Sequence, residues 1–105
     1  MAVLSPAEIT KQLSTLDGWS YADKAIQKQY TFAGFPAAVA FVQSLVVDCE
    51  NDDHHPEVTI NYRRVTLTWT THSQDGVTAK DIDGARMADR HAREQGAERT
   101  QKPVG

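Results

Sequence analysis

Each thing this chain lacks removes a class of protein. A single cysteine, Cys49, in 105 residues cannot form an internal disulfide, so the chain is not a disulfide-stapled secreted scaffold. Positive charge is not in excess. Eleven Lys and Arg against 14 Asp and Glu give a net charge of −3, which offers no basic face for direct contact with nucleic acid. No apolar run approaches the roughly 20 residues that span a bilayer. The opening Met1, Ala2, Val3, Leu4, Ser5, Pro6 lacks the basic-then-apolar order of a signal peptide. A cytoplasmic protein with no membrane partner is the expectation. What remains, 40% hydrophobic and 24% charged residues, is the composition of an ordinary globular domain.

Local patterns divide the chain into alternating elements. Ser5, Pro6 and Glu8 combine an N-cap, a first-turn proline and a capping-box acid, and Ile9, Leu13 and Leu16 then recur on one face up to Gly18. A brief strand over 19–21 and a turn at Ala22, Asp23 and Lys24 lead into an alternating segment. Ile26, Lys28, Tyr30 and Phe32 share one face of it, with Lys28 the exception on an apolar side. A second, longer helix opens at Gly34, Phe35 and Pro36 and aligns Phe35, Ala38, Phe41, Val42, Leu45 and Cys49. Val39, Val46 and Val47 widen that face beyond one sheet contact, which predicts a homodimer or homotetramer. Val58, Ile60 and Tyr62, then Val65, Leu67 and Trp69, alternate with Thr and Asn and predict a hairpin joined at Arg63 and Arg64. A third helix begins at Thr78 and carries Ile82, Ala85, Ala88 and Ala92; Gly84 within it costs about 1 kcal/mol relative to alanine.

The order α-β-β-α-β-β-α predicts an α+β fold: a four-stranded antiparallel sheet with three helices packed on one face. One domain over 1–92 and a polar C-terminal tail over 93–105 complete the expectation.

The histidines are the feature that points to chemistry. His54 and His55 precede Pro56 and Glu57, and the hairpin returns the chain so that His72 comes back near the pair. Three of the four histidines then meet at one end of the sheet, and imidazoles exchange protons near neutrality without large tuning. Cys49 reads as a packed, inert thiol and His91 as a surface residue on the third helix.

The set Glu50, His54, His55, Pro56, Glu57, then Tyr62 and Val65, then Thr71 and His72, then Gly76, Val77, Thr78 and Asp81 resembles the pterin-4a-carbinolamine dehydratase family. Upstream, Trp19, Ile26, Lys28, Phe32, Phe35, Ala38 and Phe41 extend the resemblance, which covers residues 4–92. It implies the α+β fold, no metal or organic cofactor, and removal of water from a 4a-hydroxytetrahydropterin to give the quinonoid dihydropterin, in tetrahydrobiopterin recycling. It also implies His54, His55 and His72 as the acid/base set, with Glu50, Asp81, Trp19, Pro56 and Thr71 as substrate-binding residues. Asp81 has a second reading, since at the N3 position after Thr78 it would cap the third helix.

Three departures from the family pattern fall on four positions. Ser73 stands where aspartate is usual and Arg63 where asparagine is common. Gly84 and Ala88 stand where larger apolar residues are common, so the third helix should pack less tightly. Two rival functions are a metal site, which adjacent histidines on an extended chain would serve poorly, and a non-catalytic dimerisation cofactor for a partner protein, as in animal members of the family.

Overall fold

The computed structural model describes residues 2–99. Helix α1 (Pro6–Leu13) starts on Ser5, whose side chain accepts from the Glu8 backbone while Glu8 reaches back to the Ser5 amide, the reciprocal cap its sequence predicts. Strands β1 (Ser20–Ala22) and β2 (Ala25–Thr31) form a tight hairpin. Its two turn residues, Asp23 and Lys24, both take positive φ, the geometry that matches the twist of the flanking strands.

The second predicted helix is two segments, α2 (Phe35–Ser44) and α3 (Val46–Asp52), divided at Leu45, where the amide donates to Val42 at i−3. Ala38, Phe41, Leu45 and Cys49 are buried as the spacing predicts, but Phe35 is 51% exposed and does not join that face.

Strands β3 (Glu57–Asn61) and β4 (Arg64–Trp69) form the second hairpin, with Asn61 opposite Arg64. The connection is therefore Tyr62–Arg63, one residue earlier than Arg63–Arg64, and Tyr62 takes the positive φ. Alternation predicted a buried face for β3, yet all five of its residues are exposed. It is an edge strand in the order β1-β2-β4-β3, while the central pair β2 and β4 buries Ile26, Tyr30, Val65, Leu67 and Trp69. Their polar neighbours occupy the other sheet face, where the Gln27 amide donates to the Thr68 hydroxyl.

Helix α4 (Ala79–Glu94) buries Ile82, Ala85, Ala88 and Ala92 as predicted. The loose packing expected around Gly84 does not occur, because Trp69 of β4 fills the space. A Cβ at Gly84 would lie 2.8 Å from three atoms of the indole. Leucine at 84 should therefore cost about 1–3 kcal/mol by overpacking, and Trp69→Leu in the same chain should recover much of it. Urea unfolding of the single and double variants checks this, and a Gly84→Leu protein as stable as the parent would exclude it.

The chain stays ordered past Arg93. Helix α4 runs to Glu94, the Glu98 amide donates to the Thr31 carbonyl, and Arg63 pairs with the Glu98 carboxylate at 2.9 Å. The rest of the predicted tail, 100–105, lies outside the described residues.

Candidate active site

The chain enters the site from the end of α3. Asp53 closes that helix in a left-handed conformation, the His54 amide donates to the Cys49 carbonyl, and Pro56 prevents further helix. Consecutive residues on extended chain point to opposite sides, and the two histidines separate accordingly.

His54 turns toward α4. Its Nε2 lies 2.6 Å from Asp81 Oδ1, and its ring stacks on Trp69 with centroids 5.4 Å apart. Asp81 has no solvent exposure, and its Oδ2 accepts from the Thr71 hydroxyl at 2.8 Å and the Thr78 amide at 2.9 Å. Thr71 and Thr78, both buried, are joined hydroxyl to hydroxyl at 2.8 Å. Asp81 thus combines the two roles open to it in the sequence: it closes the capping box of α4 and it holds an imidazole. An ionised carboxylate only accepts, so with Asp81 ionised Nε2 would donate to it and Nδ1 would be the nitrogen left for exchange.

Beside His54 opens a pocket of about 240 Å³ floored by Trp69 and Gly84 and edged by Asp52, Lys80, Asp83 and Met87. The indole Nε1 of Trp69 is the one buried side-chain donor without a partner among the described residues.

His55 turns the other way. Its Nε2 is hydrogen-bonded to the Glu50 carboxylate, and both side chains are more than half exposed. Pro56 stands beside it at the rim of an apolar depression of about 150 Å³ formed by Val42, Leu45, Val46, Cys49 and Val58. Burial and the carboxylates of Asp48, Asp52 and Glu50 push the Cys49 thiol above its ordinary pKa, which suits the inert packing role.

His72 is exposed at the start of a 3₁₀ turn (His72–Gln74) that the Thr71–Gly76 bridge closes. The hairpin does return the chain to the first histidine, since Thr71, the residue before His72, bonds the carboxylate that holds His54.

Trp19 goes elsewhere. It is buried edge-to-face on Tyr30, and its Nε1 donates to Asp89. The same carboxylate accepts from Lys28 at 3.0 Å and from the Tyr30 hydroxyl at 2.6 Å, and burial pushes the tyrosine pKa up. The indole is thus committed to the core around the odd lysine of β2 and is not placed as a surface for a ligand beside His54. Sequence reasoning gave no site role to Asp89, Trp69 or Thr78. A lysine on the buried face of β2 requires a counter-charge, and Asp89 lies eight residues beyond Asp81 on the buried side of α4, so this pair was open to inference.

Among the described residues no group of three or more His, Cys, Asp or Glu side chains could hold a metal ion, and no helix is long and apolar enough to cross a membrane.

Comparison with known proteins points to one family. A family model described as pterin 4 alpha carbinolamine dehydratase matches residues 2–91. A protein of Thermosynechococcus vestitus named "Putative pterin-4-alpha-carbinolamine dehydratase" is 43% identical over 84 residues, 80% of this chain and 88% of that one. One of the same name from Picosynechococcus sp. is 43% identical over 86 residues, covering 82% and 94%. A crystal structure described as a transcriptional coactivator/pterin dehydratase from Brucella melitensis superposes with a TM-score of 0.83 at 38% identity, covering 87% of this chain and 99% of that one.

Proposed function

Because the chain belongs to the pterin carbinolamine dehydratase family, whose members are hydro-lyases, we propose that it dehydrates a 4a-hydroxytetrahydropterin by histidine acid/base catalysis, in the recycling of tetrahydrobiopterin. The reaction breaks the bond between C4a and the hydroxyl oxygen. An acid delivers a proton to the departing oxygen, which leaves as water, and a base removes the proton of the adjacent ring nitrogen. The nitrogen lone pair then closes the C=N bond of the quinonoid product. Two proton-handling groups are needed, each with a pKa near the working pH.

The 2.6 Å contact between His54 and the fully buried Asp81 carries this reading. It fixes one imidazole by edge and by face and leaves Nδ1 to exchange protons beside the pocket over Trp69. His72 follows Thr71, which bonds the same carboxylate, and supplies the second proton-handling group. His55, hydrogen-bonded to Glu50, completes the set from the opposite side of the loop, with Pro56 holding the His55 backbone extended. The test is a spectroscopic assay of 4a-hydroxypterin dehydration by the purified protein. Acceleration over the uncatalysed background is expected, and a rate equal to that background would end the proposal.

Assembly belongs to the same reading. Phe35, Val46 and Val47 are each more than half exposed along α2 and α3, surface that a homodimer or homotetramer would cover. Sedimentation at micromolar concentration should show a species larger than 11.6 kDa; a monomer alone would contradict it.

A further inference from the structure

Helix α3 delivers His54, yet little of its own packing holds it. It has seven residues, Cys49 is its one buried residue, and Val46 and Val47 face outward. Glu50 and Asp52 place negative charge at its C-terminal end, where the helix dipole disfavours it. Something else must set α3 against α4, because the position of His54 relative to Asp81 depends on that placement.

Two histidine–aspartate bridges join the two segments. At one end His54 meets Asp81 at 2.6 Å; at the other, Asp48 of α3 meets His91 of α4 at 2.8 Å. Asp48 precedes His54 by six residues, whereas Asp81 precedes His91 by ten, about 15 Å along α4. The segment from Asp48 to His54 therefore runs antiparallel to α4 and is pinned at both ends, with the acid and the base exchanged between the two bridges. His91 is only 17% exposed, and Arg90 approaches the same carboxylate at 3.7 Å. The histidine expected to be a surface residue is thus half-buried between helices, with its ring committed to α3.

We infer that Asp48 and His91 are positioning residues: their bridge holds α3 at the angle and depth that bring His54 Nε2 onto Asp81. Reading His54 as an acid/base group rests on the dehydratase proposal, but the effect on its geometry does not. Loss of the far bridge leaves α3 attached through Cys49 and the loop, and the His54 ring then samples positions off the carboxylate.

The experiment follows the ring nitrogens of His54 by NMR in the full chain without substrate, beside steady-state kinetics. Asp48→Ala and His91→Ala should each shift the His54 ring signals toward those of an imidazole without a carboxylate partner. Turnover should fall roughly tenfold with KM changed less than about twofold, since misplacement acts on the chemical step. The exchanged variant Asp48→His/His91→Asp rebuilds the bridge with its partners reversed and should restore both readings. If either alanine variant does not fold, Asp48→Asn, which keeps the shape but removes the charge, is read in the same way. Unchanged His54 signals in the single variants, or failure of the exchanged pair to restore them, would overturn the inference. A parent protein with no dehydratase activity would instead remove the functional proposal and leave the NMR result to decide this one.

Discussion

Replacing His54 by glutamine should slow dehydration of the carbinolamine by about 10²–10⁴-fold, the usual contribution of a general acid or base, while the protein remains folded. Glutamine is chosen because its amide can still donate to Asp81, whose carboxylate has no exposure and would otherwise lose the donor on its Oδ1. His54→Ala should lose activity similarly but also stability, since breaking one side of a buried pair leaves the other side uncompensated. His55→Ala should leave stability nearly unchanged, because His55 and its partner Glu50 are both largely in solvent. Comparing turnover and urea midpoints of the three variants separates proton transfer from packing. His54→Gln turning over as fast as the parent would remove His54 from the chemistry.

Asp81→Ala should cause the larger loss of stability, about 3 kcal/mol, by the usual magnitudes for a lost cap and newly unsatisfied buried donors. Three groups lose their acceptor together: the Thr78 amide, the Thr71 hydroxyl and the His54 ring. The Thr71 hydroxyl retains Thr78 as a neighbour, so its cost is softened, but the Thr78 amide at the start of α4 has no replacement. Asp81→Asn keeps one carbonyl acceptor and should recover part of the cap. It cannot accept on both sides at once, so turnover should remain low even where the fold is restored. Equilibrium unfolding of the two variants provides the measurement. A change below about 0.5 kcal/mol in Asp81→Ala, the size of an ordinary surface substitution, would show that the network is dispensable.

The sequence alone determined whatever depends on neighbours along the chain. The reciprocal caps at Ser5/Glu8 and Thr78/Asp81, the buried face of α4, the alternation of β2 and β4 and the order of elements are set by groups within about four residues of each other. The return of the chain was also legible, because a hairpin of nearly equal strands brings Thr71 back to the carboxylate that holds His54.

Only the tertiary structure decided which distant groups share a contact. His54 and His55 look equivalent in sequence, but packing against α4 gives one a buried carboxylate and leaves the other with an exposed one. Trp19 belongs to the counter-charge of Lys28 and not to the histidines. Gly84 reads as a weak point until the indole of Trp69 is seen to occupy its missing side chain. The alternation of β3 promised a buried face that an edge position leaves in solvent, and Asp48 and His91 carried no local sign of one another. For His54, Trp19, Gly84 and Asp48 the partner lies far along the chain. Burial, which makes an unpaired charge or an empty space costly, selects among the candidates only after the sheet and helices have been brought together.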